Sequence, residues 1–131
     1  EDTGGDFHLD RACDRPDPID DDQAVCFDTR TGVVVLLGCA HAGVINTLVH
    51  VRRHTGNRPI RGVIGGMHLL HASHDRMVRT VAALRRFGPE FIAPCHCTGA
   101  HATARLWAKF PGSWLACRVG TVFDFDDAVA E

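Results

Sequence analysis

Three apolar runs in this chain end the same way, and that repetition constrains its fold more than any other feature. Phe91-Ile92-Ala93 stops at Pro94, and Cys95-His96-Cys97-Thr98-Gly99 follows before a helix-like segment begins. The same order occurs at Gly38-Cys39-Ala40-His41-Ala42-Gly43 and at Gly65-Gly66-Met67-His68. A strand that halts sharply, presents polar residues and then feeds a helix leaves those residues at its carboxyl end. Open α/β sheets hold their ligands there. The repetition predicts that His41 and His96 lie at one end of one sheet, within reach of a shared metal.

The rest of the chain fits around these strand ends. Residues 1–19 show no usable periodicity and contain Pro16, Pro18 and several aspartates, so they form an irregular lead-in. Ala24-Val25-Cys26-Phe27 reads as a strand, Asp28-Thr29-Arg30-Thr31-Gly32 as a hairpin loop, and residues 33–37 as a second strand. That second run is apolar throughout, which suits burial on both faces. Val44, Ile45, Leu48 and Val49 fall on helical spacing, with Arg52, Arg53 and His54 in the last turn, where positive charge suits the helix dipole. Residues 60–64 form the next strand. A second helix starts near Ser73 and runs to Phe87, where Gly88-Pro89 ends it. A third helix spans about residues 100–110, and Pro111-Gly112 breaks it. Residues 114–119 and 121–125 read as closing strands. The result is a single α/β unit, β-β-α-β-α-β-α-β-β, with helices over a parallel or mixed sheet.

Composition narrows the function classes. A net charge of -2 makes no electrostatic case for nucleic acid or an anionic membrane. No apolar run approaches the roughly 18 residues of a spanning helix. The acidic first residues do not resemble a signal peptide, and the chain opens without methionine, as a cut piece would. Six cysteines could pair in three disulfides, but small disulfide domains are loop-rich and poor in core, unlike this chain. Cys26 and Cys117 lie in apolar strand-like runs, where a buried thiol acts as a small hydrophobe. The thiols are therefore expected to be reduced and the protein cytoplasmic.

Each strand end has a bland reading beside a chemical one. His96 is either a partly buried histidine bonded to backbone or a metal ligand, and the repeated placement favours ligation. Cys95-His96-Cys97 is too tight for one small zinc module, whose ligand pairs lie about two to four residues apart. No Cys-x-x-Cys redox pair exists. Cys39 and His41 carry donor atoms suited to zinc or iron, unless the segment is a plain βα turn. His68 could be a ligand, a proton donor to substrate or a support for a ligand. His71 and His74 read as solvated residues near a helix start. Asp21 and Asp22 either form a solvated turn or supply a carboxylate to the same sheet end.

Asp21-Asp22-Gln23-Ala24, Gly38-Cys39-Ala40-His41-Ala42-Gly43 with Asn46, Ile64-Gly65-Gly66-Met67-His68-Leu69 and Pro94-Cys95-His96-Cys97-Thr98-Gly99 occur in that order. This series resembles the metallo-β-lactamase superfamily, in the branch named dihydropterin ribofuranosyl-aminobenzene phosphate synthase-like. The resemblance covers about residues 20–125. It implies an αββα sandwich with metals at the sheet ends: zinc, or iron or manganese, two ions in a complete enzyme. It implies metal ligation by His96 and by Cys39, with His41 a close competitor, and assigns His68 to the branch's own pattern, here taken as the catalytic candidate.

One departure is large. The superfamily's His-x-His-x-Asp-His run, which supplies most of the metal ligands, has no counterpart here. The chain therefore resembles the C-terminal half of the fold, a mixed sheet with helices on one face, either as a fragment or as a product without the first half. The implied whole is a metal-dependent hydrolase acting on a small-molecule substrate, or a transferase moving a pterin-methyl group onto an aminobenzene ring. The implied partner is the missing half or a second copy of this chain. A different class of reading is a non-catalytic interaction module that keeps the sheet without chemistry. With two or three donors, the chain alone is expected to hold metal weakly and to be inactive.

Overall fold

The backbone alternates strand and helix because apolar residues alternate between two spacings, and the sequence breaks each run with glycine or proline. The computed structural model describes residues 7–125. Within them the elements run β1 (Ala24–Thr29), β2 (Gly32–Leu37), α1 (Val44–His54), β3 (Ile60–Gly66), α2 (His74–Phe87), β4 (Phe91–Cys95) and α3 (Ala100–Lys109), with a 3-10 turn at His96–Thr98 between the last two. The four strands form one sheet in the order β1-β2-β3-β4. β1 and β2 are an antiparallel hairpin, while β2, β3 and β4 run parallel. All three parallel strands therefore deliver their following loops to the same end of the sheet.

Helix ends follow the local chemistry. Ser73 caps α2 by accepting a hydrogen bond from the Arg76 N–H, and Gly88 closes the same helix in the left-handed conformation with φ 62°. The helices cover one face of the sheet. Leu48 and Val51 of α1, Met77 and Leu84 of α2 and Leu106 of α3 pack with Val33, Val35, Ile60, Val63 and Ile92 in one core. In β2 the core residues Val33 and Val35 alternate with Val34, which faces the other way; in β3 a register irregularity puts Ile60 and Val63 on the same side.

The other face is covered only in part. Val34, Ile64 and Ala93 form a small second cluster against Phe91, Cys117, Phe123 and Phe125. The Phe91 ring stands where a Cβ on Gly62 would sit, so that glycine admits an aromatic across the strand. Beyond this cluster, Val25, Phe27 and Leu36 remain 54%, 48% and 39% exposed.

Three sequence expectations are corrected. Residues 114–119 and 121–125 do not form strands; Trp114 makes a single parallel bridge to Ile92. A turn then forms, in which the Arg118 N–H donates to Thr121 Oγ1 and Gly120 adopts φ 85°. Phe123 and Phe125 consequently lie back on Phe91, their rings 6.3 and 6.0 Å away, instead of joining the ladder. Covering an open apolar face outweighs strand propensity here. Cys26 is exposed, because β1 is an edge strand beyond the helices. The hairpin is also tighter than expected, since Thr29 pairs with Gly32 and leaves a two-residue loop. Residues 7–19 contain no helix or strand beyond a bridge between His8 and Pro16; the first six residues of the lead-in lie outside the described residues.

Candidate metal centre

The loops after β2, β3 and β4 are tied to one another by backbone contacts before any side chain is considered. Gly66 N–H donates to Gly38 O at 3.1 Å, and Leu70 N–H donates to Cys97 O at 3.2 Å. Met67 N–H donates to the hydroxyl of Thr98, which is fully buried, at 3.1 Å. A Cβ on Gly66 would stand 2.5 Å from Gly38 O and 2.7 Å from Cys97 Sγ. Glycine is required there because the other two loops occupy the space of a side chain.

Three non-glycine residues in these loops take the left-handed conformation: Ala40 at φ 53°, His68 at φ 48° and His96 at φ 49°. Such backbone is costly for a residue with a Cβ and persists where the surrounding structure enforces it, often at functional sites. In each loop it redirects the chain within three residues of the strand end.

The outcome is one compact donor group. Cys39, His96 and Cys97 each offer one ligand atom, and these atoms lie within 4.8 Å of one another. The Cys97 thiol donates to the Cys39 carbonyl at 3.4 Å and accepts from the His68 N–H at 3.3 Å. Burial, followed by the neighbouring Cys39 thiol, raises the Cys97 pKa, although the His68 N–H opposes this. Two thiols and an imidazole at this spacing fit a thiophilic divalent ion such as zinc, which deprotonates the thiols it binds.

His41 does not join this group. Its ring packs edge-on against His68 with centroids 4.7 Å apart, and Phe7 lies 5.2 Å from His41 and 6.0 Å from His68. Burial chiefly, then the charge of His41, lowers the pKa of His68; Asp22 acts in the opposite direction. Asp22 accepts from the Ala42 N–H at 3.0 Å and so fixes the loop that carries His41. Asp21 is exposed. His71 and His74 are likewise exposed.

Cys97 was not among the expected ligands. The available signal was its place beside His96, but spacing alone did not distinguish it from Cys95. The 3-10 turn at His96–Thr98 makes that distinction, turning Cys97 toward the Cys39 loop. Cys95 is the last residue of β4 and contacts Cys117 instead; burial first, and that contact second, push its thiol up to about 11.

No family model matches the chain. The crystal structure of Tm1679, a metal-dependent hydrolase of the β-lactamase superfamily, superposes with a TM-score of 0.82 at 36% identity, over 93% of this chain and 48% of that one. The chain therefore shares the fold of that β-lactamase-superfamily hydrolase over nearly its whole length. The chain is also 28% identical over 109 residues to the 7,8-dihydropterin-6-methyl-4-(β-D-ribofuranosyl)-aminobenzene-5'-phosphate synthase of Methanocaldococcus jannaschii, covering 83% of this chain and 37% of the synthase. An uncharacterized protein of the same organism is 34% identical over 74 residues, 56% of this chain and 27% of that protein. The chain thus spans about a third of the curated relatives and about half of the solved hydrolase.

Proposed function

We propose that this chain is the part of a metal-dependent hydrolase, or of a pterin-related transferase, that supplies one share of a metal site at the carboxyl end of its sheet. The observation that carries the reading is the convergence of Cys39, His96 and Cys97 from two different strand ends. The likeness to a metal-dependent hydrolase supports it. A divalent ion held by these residues supplies Lewis acidity toward an ester or phosphate oxygen and hydroxide near neutral pH. The chain's own residues then have distinct tasks. Cys39, Cys97 and His96 are the donors. His68, held neutral by burial and by His41, exchanges a proton with a substrate placed beside the two rings. Asp22 holds the His41 loop in place.

Three donors are fewer than the four or more that a catalytic pair of ions requires, so the remaining ligands belong to a partner segment. The half-covered sheet face, with Val25, Phe27 and Leu36 exposed, is where such a segment would pack. A non-catalytic module would share that face but would have no use for the donor group.

Titration with Co(II), followed by the thiolate charge-transfer band, tests the reading. The full chain should show a saturable band that disappears in Cys39→Ser and in Cys97→Ser. An unchanged band in the double variant would overturn the assignment. Turnover of phosphodiester, lactone or β-lactam substrates should be absent from the chain alone.

A further inference from the structure

We propose that Cys95 and Cys117 form an oxidisable thiol pair, separate from the donor group, whose disulfide fastens the segment after α3 to the sheet. Ile92 and Trp114 form a parallel bridge, held by Ile92 N–H to Ser113 O at 2.7 Å and by Leu115 N–H to Ile92 O at 2.8 Å. Counting three residues forward along both parallel segments reaches Cys95 and Cys117. The bridge thus brings the chain around Cys117 alongside the end of β4.

Both thiols are on the same side. Phe91 and Ala93 face the second cluster, so alternation sends Cys95 to that face, and Cys117 packs against the same cluster. The Cys117 thiol lies close enough to Cys95 to help raise its pKa. All six cysteines are free, and Cys39 and Cys97 lie together in the candidate donor group. Beyond Leu115 the segment has no ladder to hold it, and the rings of Phe123 and Phe125 against Phe91 are its main anchorage. A covalent link at Cys117 would secure it midway.

The oxidant is a small disulfide such as glutathione disulfide. One protein thiolate attacks a glutathione sulfur, forming a mixed disulfide and releasing one glutathione thiolate. The second protein thiolate then attacks the protein sulfur of that mixed disulfide and releases the second glutathione. Two protein thiols lose two electrons and two protons, and one glutathione disulfide becomes two glutathione thiols.

The full chain is incubated with glutathione disulfide at about pH 8, remaining thiols are blocked, and a non-reducing tryptic digest is weighed. The expected product joins peptide 87–105 to peptide 110–118. Since the first peptide carries both Cys95 and Cys97, variants decide the partner. The link should persist in Cys97→Ser and be lost in Cys95→Ser and in Cys117→Ser. The oxidised chain should also melt at a higher temperature than the reduced one, with the difference abolished by dithiothreitol. A link through Cys97 or Cys39, a link only between two chains, or no link at all would overturn the proposal. If Cys97→Ser fails to fold, fragmentation of the linked wild-type peptides locates the bridged cysteine directly.

Discussion

The thiol of Cys97 donates a hydrogen bond to the carbonyl oxygen of Cys39 at 3.4 Å, across 58 residues of chain. That contact joins the loop after β2 to the loop after β4, and it passes through space that Gly66 of β3 leaves open. The donor group therefore depends on three strands at once. Residues that never touch a ligand should control it as strongly as the donors themselves.

Gly66→Ala tests this most directly. The added methyl would meet the Gly38 carbonyl oxygen at 2.5 Å and Cys97 Sγ at 2.7 Å, and the first is backbone that cannot swing aside. Overpacking of this kind costs about 1–3 kcal/mol. Urea unfolding should show that loss, and the Co(II) band should weaken even though every donor is present.

Thr98→Val removes the acceptor for the Met67 N–H while keeping the shape of a fully buried side chain. Leaving a buried donor unpaired costs about 1–3 kcal/mol. The expected result is a lower urea midpoint with an unchanged slope, and faster hydrogen exchange at the Met67 amide.

The lowered pKa of His68 makes stability depend on pH in a defined direction. The unfolded chain takes up this proton near the ordinary value of 6.5, before the folded chain does. More protons are bound in the unfolded state over that window, so stability falls as pH drops through and below about 6.5. Denaturation curves at pH 7.5 and 5.5 should show the fall. His68→Gln should reduce it, and an equal fall in the variant would remove His68 as a contributor.

The exposed apolar residues on β1 and β2 should make the chain associate. Val25, Phe27 and Leu36 continue the face on which Val34, Ile64 and Ala93 are covered by Phe123 and Phe125. Sedimentation velocity should show concentration-dependent self-association that Phe27→Lys reduces. A monodisperse monomer that binds no hydrophobic dye would mean that this face is closed without a partner.

The order of elements was legible in the sequence because each is a local matter. Alternating and helical apolar spacings, with Gly88-Pro89 as a stop, locate β2 to β4 and the three helices to within a few residues, although β4 runs through Pro94 to Cys95 instead of stopping at the proline. The strand ends could be read as well, since small residues followed by histidine have a local signature. What lies beyond reach of the sequence is which partner each group finds. Residues 114–125 have strand-like composition, but the exposed half-core beside Phe91 draws Phe123 and Phe125 out of the ladder. Cys26 sits in an apolar run, yet its place on an edge strand exposes it. Cys95 and Cys97 are equivalent on paper, and a 3-10 turn with His96 at positive φ sends them to different neighbours. Spacing proposed His41 beside His96; the folded loops bring Cys39 and Cys97 to His96 and stand His41 against His68. Local periodicity determines where strands end. Only the packing of three loops around Gly66 decides which side chains meet there.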